Sequence, residues 1–192
     1  MTDAPKRGQY AKGEIKREEI LDRAVEAFGK FGYHATSMRE IAKVCGLSQA
    51  GLLHYYANKE ALLLALVQRR EATIGHQTPD SLEDWVQGLL RHVARNEDER
   101  ALTQLWANLV GEATDADFPA HDYFVKRYRK TRSSMARQIA ALEGREIPND
   151  ADAIKGALLI AMWDGLQTQW LLDPKFDMKQ AFDYGVKLLS SK

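Results

Sequence analysis

The sequence has little that would form disulfide bonds, cross a membrane or coat nucleic acid. Its single cysteine, Cys45, cannot form an internal disulfide, which is typical of a reducing cytoplasm. The most apolar run, residues 157–172, is interrupted by Asp164 and by neighbouring polar side chains, and it is too short to cross a bilayer of about 30 Å. The 27 basic side chains balance the 27 acidic ones. Zero net charge argues against non-specific nucleic-acid binding but leaves a local basic surface open.

The sequence also lacks recognisable catalytic motifs. There is no Gly-rich phosphate loop, and no Ser or Cys has a recognisable catalytic partner. Glu112, Asp115, Asp117 and His121 lie close together in sequence, and they either hold a divalent cation or, as is more usual, form a solvated loop. The polar N-terminus lacks the apolar segment of a secretory signal. We therefore expect a cytoplasmic protein that is not an enzyme and holds no metal or cofactor.

Helical periodicity, by contrast, runs along most of the chain. Apolar residues recur at intervals of three and four positions, and no alternating strand pattern or internal repeat of useful length is present. We predict an all-α fold of about nine helices. The first helix is predicted over residues 14–31, and residues 96–99 are predicted to form a polar connection between two later helices. Asp150 or Asp152 is the predicted cap of the most apolar helix.

Residues 36–60 (TSMREIAKVCGLSQAGLLHYYANKE) have the pattern of two short helices joined by a tight turn. Ser37 and Glu40 have the spacing of a capping box, which begins the first helix. Gly46 can adopt the left-handed conformation that ends this helix, and Ser48 can cap the second. Two helices joined by a short turn that contains Gly form the arrangement that places the second helix in a DNA major groove.

The sequence around this motif resembles the DNA-binding region of the TetR (tetracycline-repressor-like) family of transcriptional regulators. The resemblance covers residues 20–66 and depends on many positions at fixed spacing: Phe28, Gly32, Thr36, Ser37, Ile41, Ala42, Gly46, Leu52, Tyr56, Lys59, Glu60 and Leu63. Residues 164–174 (DGLQTQWLLDP) also resemble a segment near the end of the family's ligand-binding domains. The resemblance implies a homodimer that binds a pseudo-palindromic operator, usually as a repressor, and that a small-molecule effector releases.

These observations predict three parts in the chain. Residues 1–13 are predicted to form a flexible basic arm, which is either a solvated terminus or a contact to phosphates or the minor groove. Residues 14–58 are predicted to form a three-helix DNA-binding domain with the helix-turn-helix. Residues 59–192 are predicted to form a helical effector-binding and dimerisation domain.

Eight residues are the candidates for DNA binding: Ser37, Arg39, Gln49, Ala50, Gly51, His54, Tyr55 and Lys59. Ser37 lies at a helix N-terminus, which favours a phosphate. The resemblance implies that Arg39 reaches a base edge, and guanine is the base that Arg contacts most often. Arg39 is otherwise a solvated surface charge. Gln49 suits adenine, and Ala50 suits a thymine methyl group.

The remaining candidates depend mainly on the resemblance. It implies that Tyr55 and Lys59 contact phosphates, whereas Tyr56 packs in the core. His54 either contacts DNA or lies on the surface. Many family members have Thr where this chain has Gly51 and Tyr where it has Leu53. Both usual residues can contact DNA, so their absence places more weight on base contacts from Arg39 and Gln49.

The candidates for effector binding are large aromatic residues and polar residues of the C-terminal half: Trp106, Tyr123, Tyr128, Trp163, Asp164 and Gln167. An apolar cavity with a few polar groups suits a small organic molecule, although each aromatic residue is equally consistent with an ordinary core. The helix over residues 154–172 is apolar on more than one face, so one side can pack on a partner.

The predicted dimer interface comprises Leu166, Trp170, Phe182, Val186 and Leu189, unless the last two helices merely complete a monomeric bundle. The alternative function is a helical small-molecule-binding protein without operator binding. The presence of Arg39, Gln49 and Lys59 argues against that alternative.

Overall fold

The computed structural model describes residues 6–72 and 81–190. In these ranges the chain forms nine α-helices and no strand, which confirms the predicted all-α class. The chain divides into two compact units, Met1–Thr73 and Ile74–Lys192. Within the same ranges, no helix is both long enough and apolar enough to span a membrane.

The first unit contains four helices: α1 (Lys6–Phe31), α2 (Met38–Val44), α3 (Gln49–Tyr55) and α4 (Lys59–Ala72). Its core is a set of large apolar side chains with no exposed surface, drawn from all four helices: Ile20, Phe28, Ile41, Leu52, Leu62 and Leu63. Each such side chain stabilises the fold by about 1.5–3 kcal/mol through removal of apolar surface from water. Arg69 of α4 forms ion pairs with Glu18 at 3.0 Å and with Asp22 at 2.9 Å, and these pairs add a polar link between α4 and α1.

The second unit contains α5 (Leu82–Asp98), α6 (Arg100–Glu112), α7 (His121–Leu142), α8 (Asp150–Leu172) and α9 (Met178–Ser190). Helix α8 packs on α6, α7 and α9. It approaches α7 closely at Gly156, where an added Cβ would lie 3.2 Å from the Ala136 nitrogen and 3.2 Å from the Arg132 carbonyl oxygen. Glycine at this position therefore permits the close packing of the two helices.

An ion pair stabilises the turn between α7 and α8. Arg145 donates to both carboxylate oxygens of Asp152, and the Nη2–Oδ1 distance is 2.7 Å. Asp152 is buried, and the Arg145 guanidinium lowers the pKa of its carboxyl to about 2. The same carboxylate accepts from the Asn149 backbone N–H, which completes a capping box at the start of α8. The cap is therefore Asn149, not Asp150 or Asp152 as predicted, and Asp152 is its partner one turn into the helix.

Three predicted boundaries differ from the structure. Helix α1 begins at Lys6, so residues 6–13 of the predicted arm are helical, while residues 1–5 lie outside the described residues. Helix α4 lies in the first unit because it packs on α1, so the division falls at Thr73 and not at residue 58. The predicted connection over residues 96–99 is helical to Asp98 and leaves only Glu99 between α5 and α6.

Candidate nucleic-acid interface

The turn between α2 and α3 has the geometry that its sequence predicts. Ser37 Oγ accepts from the Glu40 N–H at 3.2 Å, and Glu40 Oε2 accepts from the Ser37 N–H at 2.7 Å. Gly46 has φ of 65°, in the left-handed region, where it ends α2 without strain. Ser48 Oγ accepts from the Gly51 N–H at 3.0 Å and caps α3. Both helices therefore begin at a hydrogen-bonded cap.

Helix α3 buries one side and exposes the other. Leu52 has no exposed surface and packs towards α2, whereas Gln49, Ala50, Leu53 and His54 are exposed. Positions 49 and 53, 50 and 53, and 50 and 54 are three or four apart along the helix, so their side chains form one continuous face. This face is the surface of α3 that is free to enter a groove.

Gly51 serves the cap of α3. A Cβ at this position would lie 3.2 Å from Ser48 Oγ, so a larger residue would press on the cap. Leu53, the second departure from the usual family pattern, presents an apolar surface that is 40% exposed beside Ala50.

Arg39 is exposed on α2, where it is available for contact from the helix before α3. Ser37 is also exposed, but the Glu40 carboxylate already accepts its Oγ–H at 2.7 Å. The two hydrogen bonds from Ser37 lower the pKa of Glu40, which keeps a negative charge at this helix start. A phosphate at Ser37 would therefore meet a carboxylate.

Tyr55 and Tyr56 differ in burial, as the sequence predicts. Tyr55 is half-buried, and its ring lies 5.5 Å from the His54 ring. Tyr56 is buried, its hydroxyl donates to the Arg17 carbonyl oxygen at 3.5 Å, and the Arg17 guanidinium lies 5.3 Å from its ring. Burial raises the pKa of Tyr56. The prediction that Tyr56 packs in the core is confirmed.

Lys59 has contacts that the sequence did not indicate. Its Nζ donates to the Tyr33 carbonyl oxygen at 3.0 Å and to the His34 carbonyl oxygen at 3.4 Å. The ammonium also lies 4.3 Å from the centre of the Tyr33 ring. Lys59 thus ties the start of α4 to the segment that leads into α2.

Cys45 lies at the end of α2 and is half-buried. Burial raises the pKa of its thiol, which favours the neutral form of this side chain. Cys45 therefore contacts the core of the first unit only in part.

Some of the predicted effector residues of the second unit form a connected cluster of polar and aromatic side chains. The Tyr128 hydroxyl donates to Asp164 Oδ2 at 2.6 Å, so α7 and α8 are joined at this point. The Arg127 guanidinium lies 4.7 Å from the Trp106 ring and 5.5 Å from the Tyr128 ring. Burial raises the pKa of Asp164, and burial together with the Asp164 charge raises the pKa of Tyr128.

The other predicted effector residues are Trp106, Tyr123, Trp163 and Gln167. Trp106 is buried against Phe124, with ring centres 5.0 Å apart, and Tyr123 lies 5.3 Å from the same ring. Trp163 packs on Phe182 at 5.3 Å. Gln167 is buried. Trp106 is therefore a core residue, which is the alternative interpretation of the aromatic residues.

The predicted dimer residues require correction. Trp170, Phe182 and Val186 are buried in the core of the second unit, so they are not available to a partner. Leu166 and Leu189 are partly buried against the same core. The exposed apolar residues of α8 are others, spaced along one face: Ile154, Leu158, Ala161, Gly165 and Leu172. On α9, Tyr184 and Leu188 are exposed.

The acidic loop between α6 and α7 has ordinary turn geometry. His121 Nδ1 lies 2.9 Å from the Ala113 carbonyl oxygen, and Asp115 Oδ1 accepts from the Asp117 N–H at 3.0 Å. Among the residues that the structure describes, no group of three or more His, Cys, Asp or Glu side chains has a geometry that could hold a metal ion.

The chain has two compact helical units, and the first carries an exposed helix-turn-helix whose two helices are capped. These features place it in the class of helix-turn-helix proteins. Residues 20–66 match the family described as bacterial regulatory proteins, tetR family. This match confirms, for residues 20–66, the resemblance seen in the sequence.

Named relatives agree with this assignment. The chain is 39% identical over 54 residues to the transcriptional regulator RutR of Escherichia coli K12, a match that spans only 28% of this chain and 26% of RutR. It is 25% identical over 190 residues to the transcriptional regulator AcrR of Shigella flexneri, across 90% of this chain and 87% of AcrR. The chain thus covers about a quarter of the length of RutR and most of AcrR.

A solved structure shares the fold over most of the chain. The complex of SmeT with triclosan has a TM-score of 0.74 at 20% identity and covers 91% of this chain and 90% of SmeT. SmeT is described as the repressor of the Stenotrophomonas maltophilia multidrug efflux pump SmeDEF. At this identity the likeness concerns the fold alone.

Proposed function

We propose that this protein is a homodimeric transcriptional repressor that binds a pseudo-palindromic operator and leaves it when a small molecule binds the second unit. The observation that carries the proposal is the exposed face of α3, which is held by two capped helices in the first unit. Such a helix is the element that enters the major groove in helix-turn-helix proteins. The regulators RutR and AcrR support the same function.

Base recognition is assigned to residues of both helices. Arg39 of α2 can donate two hydrogen bonds to guanine, and Gln49 at the start of α3 can pair with adenine. Ala50 and Leu53 present apolar surface on the exposed face of α3, which suits thymine methyl groups. His54 and Tyr55 lie further along the helix and are assigned to the DNA backbone. Lys59 adds a positive charge beside them.

Dimerisation is assigned to the exposed apolar face of α8 and its neighbour α9. Ile154 is 62% exposed, Leu158 is 48% exposed and Leu172 is 82% exposed. A Cβ added at Gly165 on the same face would meet no neighbouring atom of the described residues within 4 Å, so a partner helix can approach closely there. Two protomers related by two-fold symmetry would present two α3 helices to half-sites about 34–36 Å apart.

Effector binding is assigned to the cluster around Tyr128 and Asp164. A buried carboxyl group, whose pKa burial raises, lies beside a phenol and a guanidinium, and together they offer donors and acceptors to a small organic molecule. The complex of SmeT with triclosan supports an organic effector for a protein of this fold. Effector and operator must weaken each other's binding by the same factor if the release is allosteric.

A titration with DNA tests the proposal. Fluorescence anisotropy would follow the binding of the full chain to a duplex from the region upstream of its own gene and to a scrambled duplex of equal length. We expect at least about a 1000-fold preference for the specific duplex at physiological salt. Arg23→Ala, an exposed α1 residue paired with Glu26, is the control variant. Equal affinity for both duplexes would favour the alternative, a helical small-molecule-binding protein without operator binding.

A further inference from the structure

Helix α7 carries a basic surface that the helix-turn-helix does not account for. Between Asp122 and Glu143 the chain has no acidic residue, but it has a run of basic ones: Lys126, Arg127, Arg129, Lys130, Arg132 and Arg137. All of these except Arg127 are exposed. The chain as a whole has no net charge, so α7 concentrates positive charge that the overall composition conceals.

Several exposed positions of α7 share one side of the helix. They follow one another at intervals of four, three and four residues, as Lys126, Lys130, Ser133 and Arg137. Arg129 borders this stripe, because it lies three residues after Lys126. We call these five residues the basic face of α7. The face is about 16 Å long at the helical rise of about 1.5 Å per residue, and a strand of DNA has about five phosphates over that length.

The cations of the basic face are not held in ion pairs. Lys126, Arg129 and Arg137 have no carboxylate at ion-pair distance among the residues that the structure describes. Arg23 of α1, by contrast, is exposed but pairs with Glu26 at 3.1 Å. Like charges three or four residues apart on a helix repel each other. The basic face therefore lacks internal compensation, which an external polyanion would supply.

The basic face also lacks the apolar side chains that other anionic partners require. No large apolar residue of α7, a helix that the structure describes in full, is exposed, and Phe124 and Ile139 are buried in the second unit. An anionic membrane holds a helix by apolar insertion as well as by charge, and a protein interface has an apolar core. Non-specific binding to DNA comes almost entirely from cations that displace counterions from phosphates. The face therefore fits a DNA backbone better than a membrane or an acidic protein.

We propose that the basic face of α7 is a second DNA-contact surface, which binds the phosphate backbone of double-stranded DNA without reading its sequence. Arg129 and Arg137 donate to phosphate oxygens through the fork of the guanidinium, and Lys126 contacts a phosphate as a point charge. Ser133 adds a hydroxyl donor. The surface adds equal affinity for every duplex, so it requires neither the operator nor the dimer of the proposed function.

The test measures how the affinity of the full chain for the scrambled duplex depends on salt. This duplex contains no operator, so the result does not depend on base recognition. The α7 variant combines Lys126→Gln, Arg129→Gln and Arg137→Gln. The control variant removes three exposed cations from other parts of the second unit and combines Arg91→Gln, Lys175→Gln and Lys179→Gln.

The two variants have the same net charge but should differ in salt dependence. We expect the slope of log affinity against log salt to decrease by about 2–3 in the α7 variant, because each phosphate contact contributes about 0.9 to it. The control variant should keep the wild-type slope. At low salt the α7 variant should bind at least about tenfold more weakly than the control variant.

A charge-retaining variant and two other polyanions complete the test. The combination of Lys126→Arg, Arg129→Lys and Arg137→Lys should keep the wild-type slope, because it keeps all three cations. Vesicles of phosphatidylcholine with phosphatidylserine, and polyglutamate, replace the duplex in parallel titrations, and the α7 variant should lose more affinity for the duplex than for either. Equal slopes for the α7 and control variants, a reduced slope in the charge-retaining variant, or a larger loss on vesicles or polyglutamate would overturn the proposal.

Discussion

Lys59 Nζ lies 3.0 Å from the Tyr33 carbonyl oxygen and 4.3 Å from the centre of the Tyr33 ring. The residue predicted to contact phosphate therefore also holds the segment before α2 in place. Its ammonium has three donors, of which two are used within the protein, so a phosphate contact is compatible with this geometry.

Replacement of Lys59 by Met should affect both stability and DNA binding. We expect the free energy of unfolding of the first unit to fall by about 1 kcal/mol, because charge-assisted hydrogen bonds are lost at a half-buried site. Affinity should fall equally for specific and scrambled duplexes, and the slope of log affinity against log salt should decrease by about 1. Unfolding by urea and anisotropy at several salt concentrations measure the two effects. An unchanged salt slope would remove Lys59 from the phosphate contacts.

Arg39→Ala should weaken specific binding by about 1–3 kcal/mol and relax sequence preference at one base pair in each half-site. Arg39 is exposed and has no structural role in the first unit, so the melting temperature should stay the same. Anisotropy with specific and scrambled duplexes measures the effect, with Arg23→Ala as the matched surface control. Equal losses on both duplexes would show that Arg39 contacts the DNA backbone and not a base.

Leu158 and Leu159 are adjacent in sequence, but substitutions at these two positions should have opposite effects on dimerisation and on protomer stability. Leu158→Asn should shift the protein from dimer to monomer with little loss of protomer stability, because this side chain is 48% exposed. Leu159→Ala should destabilise the protomer by about 2–5 kcal/mol, because Leu159 is buried in the core. Sedimentation velocity and urea unfolding separate the two effects. A dimer that survives Leu158→Asn at low micromolar concentration would exclude this face as the interface.

The titration of Asp164 should lower the free energy of unfolding as pH rises. Burial raises the pKa of this carboxyl above its usual value of about 3.9, so the native state holds the proton at pH values where the unfolded state has released it. Stability should therefore fall from about pH 4 upwards until the native group ionises. Asp164→Asn should lose this dependence and keep an acceptor for the Tyr128 hydroxyl. Urea unfolding from pH 4 to 8 measures the difference, and parallel curves for both proteins would contradict the prediction.

The features that the sequence predicts correctly are those set by neighbouring residues. The Ser37–Glu40 box, the left-handed Gly46 and the Ser48 cap, where Ser48 Oγ accepts from the Gly51 N–H at 3.0 Å, each depend on residues within one helical turn. The family resemblance has the same local character, because it covers one continuous segment, residues 20–66.

The start of α1 and the boundary between the two units were predicted less well, because they depend on helix extension and on packing between distant residues. Gly8 and Gly13 suggested an arm, yet α1 continues through both because a helix that is already nucleated extends at a low cost per residue. Helix α4 was assigned to the second part of the chain because the sequence does not reveal that it packs on α1. Its position follows from Leu62 and Leu63, which are buried in the core of the first unit.

The sequence by itself determined the helical class, the helix-turn-helix and its caps, because these depend on spacing within a turn or two of helix. Only the tertiary structure decided which face of α8 is free. The sequence of α8 has apolar residues on several sides, so it does not indicate which side is buried. The packing of α8 on α6, α7 and α9 buries Trp170 and leaves Ile154 and Leu158 exposed. Long-range packing likewise decided that Lys59 holds Tyr33, since this contact has no signature in the order of residues.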